Sequence, residues 1–187
     1  MKTLFETDRL RVSPLTPESI DAAAGDRKLL AQLLEAEVSV EWPEAEMREF
    51  LPLLAEQLRA NPAKMQWGGV MISKVEPKLL GDIGFHAGGS FGPLSRGADC
   101  EVGYSVLEPF RNRGYATEGL RGLLKWGFTR LKLGRVVGRC EVSNVASQRV
   151  LERSGMRLLG VEPHPSYGEL VVYEVSGYDY RLRSGEQ

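Results

Sequence analysis

The stretch PFRNRGYATEGL, Pro109–Leu120, decides how the chain is read. It joins an alternating run, ADCEVGYSVL (Ala98–Leu107), to a helical one. In the first run Cys100, Val102, Tyr104 and Val106 share one face, and Glu101, Gly103, Ser105 and Leu107 the other, which is strand periodicity. In the second, Ala116, Leu120, Leu123, Leu124, Gly127, Phe128 and Leu131 recur at helical spacing. A strand-to-helix turn needs a glycine, and Gly114 supplies it. It does not need Arg111 and Arg113. The first N–H groups of a helix have no intrahelical partner and carry about half a positive charge. Strand, glycine turn and helix start, flanked by two guanidinium groups, make a site for an anion. Gly114 and Ala116 leave room for a ligand against the backbone.

The rest of the chain supports one α+β domain over residues 1–187. Arg9–Leu15 alternates and reads as an edge strand. Thr16 caps a helical region that starts at Pro17 and runs on through Leu29–Val38. A further helix spans Pro43–Pro62, interrupted or kinked at Pro52. Trp67–Val75 and Leu79–Gly89 read as strands joined by a tight turn, and Gly88–Gly97 as a loop. After the helix ended by Gly134, Arg135–Val142 is a strand. Asn144 opens a short helix for which Gly155 is the C′ residue. Met156–Val161 and Glu169–Leu182 close the chain as strands.

Composition is that of an ordinary globular protein, 42% hydrophobic and 26% charged. Basic and acidic residues balance at 24 and 25, a net charge of −1. Neither nucleic acid nor a membrane surface is expected as a partner. The N-terminus lacks an apolar leader segment, and no run is long enough to span a bilayer, so a cytoplasmic location is expected. Cys100 and Cys140 sit in apolar strands without Cys or His partners, so neither a metal site nor a disulfide is expected.

The anion site is not a P-loop, because no Gly-Lys-Ser/Thr follows, and not a Rossmann turn, because the Gly-x-Gly-x-x-Gly pattern is missing. Arg111-x-x-Gly114-x-Ala116 resembles the Gln/Arg-x-x-Gly-x-Gly/Ala motif of the GNAT acyltransferases, which bind acyl-CoA. Asn144-x-x-Ser147-x-x-Val150-Leu151-Glu152, followed by Gly155-Met156, resembles a second signature of the same family, in the same order. The opening ETDRLRVSPLTPES is similar to the subgroup that contains the ribosomal-protein N-terminal alanine acetyltransferases. The resemblance covers residues 6–181. It implies a mixed, mostly antiparallel central sheet whose middle strands splay apart, flanked by helices.

The resemblance also implies roles. The backbone of Arg111, Asn112, Arg113, Gly114, Tyr115, Ala116 and Thr117 would hold the CoA pyrophosphate without a metal. Val106 and Leu107 would face the thioester, with a backbone N–H polarising its carbonyl. Asn144 would contact the pantetheine arm, and Ser147 would lie near the sulfur as a donor to the leaving thiolate. An amine acceptor is mostly ammonium at neutral pH, with a pKa of about 10 for a lysine-like amine, so a base must take its proton. Glu101 matches a strand glutamate that serves as base in relatives. Tyr104, Tyr173 and Tyr178 are further hydroxyl donors on strands, and His86 and His164 sit in loops. The implied activity is acetyl transfer from acetyl-CoA to a primary amine in a ternary complex, the acceptor being a protein N-terminus or a small molecule. A non-catalytic acyl-CoA sensor or scaffold is the competing reading. A homodimer is the family's common assembly.

Overall fold

The structure, a computed structural model, describes residues 3–87, 90–91 and 100–184. It opens with β1 (Phe5–Glu6) and β2 (Leu10–Pro14), then α1 (Pro17–Gly25), α2 (Arg27–Leu34) and α3 (Ala45–Ala60). Next come β3 (Gly68–Ser73), β4 (Leu79–Ala87), β5 (Ser90–Phe91) and β6 (Cys100–Val106). The second half holds α4 (Tyr115–Trp126), β7 (Arg135–Glu141), α5 (Val145–Arg153), β8 (Arg157–His164), β9 (Gly168–Ser176) and α6 (Gly177–Ser184).

Among the described residues the strands form one sheet, ordered β1-β2-β3-β4-β6-β7-β9-β8, with β5 added on β4. Every pairing is antiparallel except β6 with β7. Because successive side chains point to opposite faces, β3 sends Met71 into one apolar cluster and Val70 and Ile72 into the other. On the first face, Leu120, Leu123 and Leu124 of α4 pack over Leu10, Phe85, Cys100 and Val102. On the second, Leu30, Leu34, Leu54 and Leu58 of the N-terminal helices pack with Leu79 and Leu107. Each such buried side chain contributes roughly 1.5–3 kcal/mol of transfer free energy. Gly119 brings α4 down onto the sheet: a Cβ there would lie 2.7 Å from Met71 Sδ.

Several elements depart from the sequence reading. Arg9–Leu15 is not an edge, because β1 lies outside β2. The first helical region breaks at Asp26, whose N–H closes α1 on Ala22 O and whose side chain caps α2 through Leu29 N–H. α3 runs unbroken past Pro52. Of the Gly88–Gly97 loop, Ser90 and Phe91 form β5, and the others lie outside the described residues. The last strand stops at Ser176, and the GYDYRL segment is helical. Ser176 Oγ accepts from Asp179 N–H at 3.0 Å and donates to Asp179 Oδ2 at 2.7 Å, a side-chain cap that starts α6.

Candidate active site

The turn before α4 is built as an open cradle. Gly114, at φ 80°, is the N-cap and offers no side chain to the first turn. The left-handed backbone there, and at Asn112 with φ 60°, turns successive N–H groups outward. Arg111 N–H is consumed by Glu108 O at 3.1 Å. The N–H groups of Asn112, Arg113 and Gly114 have no backbone partner among the described residues. Those of Tyr115, Ala116 and Thr117 belong to the uncapped first turn.

Charge gathers around the cradle. Arg111 folds back: its Nε donates to Val106 O at 2.7 Å and its Nη2 to Glu44 Oε1 at 2.8 Å. Arg113 is exposed. Arg9, far away in sequence, donates to Arg113 O at 3.0 Å and lies 4.5 Å from the Tyr115 ring centre. It also pairs with Glu118 at 2.6 Å. Burial pushes the Glu118 carboxyl up, but hydrogen bonds from Thr7 and Arg9 outweigh it, so it stays ionised below its ordinary value. No local signal marks Arg9 in the sequence.

Beside the cradle the sheet opens. Among the described residues β6 and β7 pair only over Cys100–Val136, Glu101–Val137 and Val102–Gly138. Past that point β6 stays on β4 as far as Val106, and β7 stays on β9 as far as Glu141. Leu107 N–H is spent on Leu80 O at 2.8 Å. By strand alternation the backbone groups of Tyr104 and Val106 then face the gap. Val106, and not Leu107, has an N–H for a carbonyl there.

At the start of α5, Asn144 Oδ1 caps Ser147 N–H at 3.0 Å. Tyr104 crosses to the same place: its hydroxyl lies 2.8 Å from Ser147 Oγ and donates to Ser147 O at 3.2 Å. Burial pushes the Tyr104 phenol up to about 12, so it remains a donor. Cys140 is buried nearby, its thiol pushed up by the same cause. Tyr173 is buried too, its hydroxyl on Glu152 at 2.9 Å, and Tyr178 is exposed on α6.

On the α3 side of the sheet lies a cavity of about 650 Å³, lined by Leu15, Met47, Phe50 and Ile83 and by the polar Glu44, Asp82, His86, Ser105 and Tyr167. Its size suits a small ligand or a chain end. Tyr104 lines it as well as meeting Ser147. His86 stands on β4 and not in a loop, and burial lowers its pKa. His164 ends β8, where its Nδ1 accepts from Ser166 and Tyr167 N–H. Glu101 does not line the cavity. Its carboxylate receives Arg139 Nη1 at 2.9 Å, and Arg139 in turn binds Glu162.

Asp82 is the group that no sequence signal marked. Its Oδ2 accepts from Trp42 Nε1 at 3.0 Å and from Ser105 Oγ at 3.1 Å. Burial raises its carboxyl to about 6, against the pull of those two hydrogen bonds, and the Glu44 charge adds to the rise. Among the described residues no group of three or more metal-ligating side chains is assembled, and no helix is long and apolar enough to cross a membrane.

The uncapped turn at the start of α4 stands beside the opened sheet, with the cavity beyond it. Residues 9–157 match the Acetyltransferase (GNAT) domain, and the chain belongs to that family. It is an acetyl-CoA-dependent acetyltransferase. The chain is 29% identical over 156 residues to an uncharacterized N-acetyltransferase, YjdG, of Bacillus subtilis (strain 168), covering 83% of this chain and 90% of that one. A GNAT-family acetyltransferase structure from Bacillus anthracis superposes with a TM-score of 0.62 at 24% identity, over 92% of this chain and 98% of that one. The ribosomal L7/L12 alpha-N-protein acetyltransferase RimL, solved with coenzyme A, gives a TM-score of 0.63 at 17% identity over 94% and 98%.

Proposed function

We propose that the chain moves an acetyl group from acetyl-CoA to a primary amine by direct attack in a ternary complex. The observation that carries this reading is the uncapped α4 turn, Asn112–Thr117, set beside the β6–β7 gap. The turn's N–H groups would hold the pyrophosphate, with Arg113 adding a full charge and Arg111 bracing the turn on Val106 O. The pantetheine arm would enter the gap and meet the amide NH2 of Asn144. Val106 N–H would polarise the thioester carbonyl. The Tyr104–Ser147 hydroxyl pair would donate to the departing sulfur. The acceptor would approach from the α3-side cavity and meet the thioester near Tyr104, which borders both spaces.

Neither cysteine supports a covalent acyl-enzyme, because both are buried and burial keeps the Cys140 thiol protonated. Thiol release from acetyl-CoA, measured across small amines and peptides of different N-termini, tests the reading. Saturable release with one acceptor class supports it. Binding of acetyl-CoA without transfer to any amine overturns it in favour of a sensor.

A further inference from the structure

Asp82 is a carboxylate set into the cavity wall, and no cation pairs with it among the described residues. Its Oδ2 is fixed by Trp42 and Ser105, and its Oδ1 has no hydrogen-bond partner among the described residues. Trp42 is fully buried, so the indole that orients Asp82 is itself held in place. The polar groups that line the cavity with it are Glu44 and Glu46 at the start of α3, His86 on β4, Ser105 and Tyr104 on β6, and Tyr167 from the β8–β9 turn. Arg111, a cation near this side, is paired with Glu44. Glu101, by contrast, already holds Arg139. An enclosed carboxylate without a counter-ion is unfavourable. A ligand cation at Oδ1 would complete the site.

We propose that Asp82 receives the acceptor's ammonium group and takes its proton, and that the apolar body of the acceptor packs on Met47 and Phe50. This rests on the acetyl-transfer reading above. In the step, one ammonium proton passes to Asp82 Oδ1 and from there to water. The freed nitrogen lone pair attacks the thioester carbonyl carbon, so a C–N bond forms and the C–S bond breaks. The second proton leaves the nitrogen and ends on the sulfur, assisted by the Tyr104–Ser147 pair. The products are an amide, a thiol and one proton. Asp82 must be ionised in the free enzyme, so kcat/KM rises with pH through about 6.

The test is a pH profile of thiol release from acetyl-CoA with phenethylamine, spermidine, kanamycin and an Ala-initiated peptide, for the full chain and for Asp82→Asn, His86→Asn and Glu101→Gln. CoA binding is followed separately by thermal shift. Asp82→Asn is expected to bind CoA as wild type does, to lose kcat/KM about a hundredfold or more, and to lose the acidic limb. The limb is expected to persist in His86→Asn. Asp82→Asn activity within about threefold of wild type with the limb intact overturns the proposal, as does a limb that disappears with Glu101→Gln instead. Wild type that binds CoA but acetylates no amine overturns the acetyl-transfer reading as well. Ser105→Ala gives a second arm should Asp82→Asn fail to fold: losing one donor to Oδ2 moves the limb to higher pH, and an unmoved limb overturns the proposal.

Discussion

Arg111 Nη2 lies 2.8 Å from Glu44 Oε1, which ties the turn before α4 to the start of α3. One end of this contact belongs to the anion cradle and the other to the wall of the cavity. Both side chains are partly exposed, at 51% and 35%, so the pair contributes at most about 1 kcal/mol to stability. Its importance is positional. Arg111→Ala is expected to weaken acetyl-CoA about tenfold while the melting temperature changes little. It also frees Glu44, whose charge then raises Asp82 further. The acidic limb of kcat/KM should move up in that variant, and titration of activity between pH 5 and 8 reads the shift.

Gly114 carries a backbone that other residues adopt at a cost of roughly 1–2 kcal/mol. A Cβ there would also come within 3.4 Å of Arg9 Nη2. Gly114→Ala is expected to lower the melting temperature by several degrees and to weaken CoA more than it lowers stability, because the cradle's N–H groups turn with the residue. Calorimetric CoA titration beside thermal unfolding separates the two effects.

Asp82 destabilises the fold at neutral pH. Its folded pKa, about 6, lies above the ordinary 3.8, so between those values the native state binds more protons than the unfolded state. Stability from this group is therefore full below about pH 4, falls as pH rises, and levels off above about 6. Asp82→Asn keeps an oxygen for Trp42 and Ser105 and removes the charge. It is expected to be more stable than wild type at pH 8, by up to about 3 kcal/mol, and about equal at pH 4. Thermal unfolding at the two pH values checks it. Greater stability with lost activity is the pattern expected of a functional carboxylate.

Tyr104→Phe removes the hydroxyl that meets Ser147 and leaves the ring in place. Loss of a donor to the leaving sulfur is expected to lower kcat about ten- to a hundredfold with the KM for acetyl-CoA little changed. Ser147→Ala should cost less, since Tyr104 keeps its bond to Ser147 O. Steady-state kinetics with acetyl-CoA varied distinguish the two.

The half of the site proposed to hold CoA is legible because it is written in contiguous residues. The cradle is a seven-residue turn whose function resides in backbone geometry, and Gly114, Arg111 and Arg113 announce it locally. Asn144 and Ser147 lie within one helical turn. The proposed acceptor half is assembled from Trp42, Glu44, Asp82 and Ser105, which no spacing rule connects. Asp82 sits in the apolar run Leu79–Phe85 and reads there as the polar member of an alternating strand. Its partner across the pair is set by the β4–β6 register, which matches it with Ser105. Glu101 shares a strand face with Ser105, but Arg139 on β7, also remote in sequence, neutralises it. α6 was misread for the opposite reason. Ser176 and Asp179 form a local capping pair that ends the strand read over Glu169–Leu182 and starts the helix. Tyr180 instead packs on Phe128 with ring centres 5.0 Å apart.

The short β6–β7 seam has a mechanical consequence. Where the strands part, the sheet is two leaves: β1–β4 with β6 on one side, β7–β9 on the other, hinged at Cys100–Val102. A leaf boundary this short is where the sheet is expected to breathe, so amides of Gly103–Val106 and Arg139–Glu141 facing the gap should exchange with solvent faster than those facing β4 and β9. A chain inserted between the leaves supplies the rungs that the sheet lacks. A cosubstrate bound there would act as a splint, and the protein should become most cooperative, and slowest to unfold, when the thioester is in place.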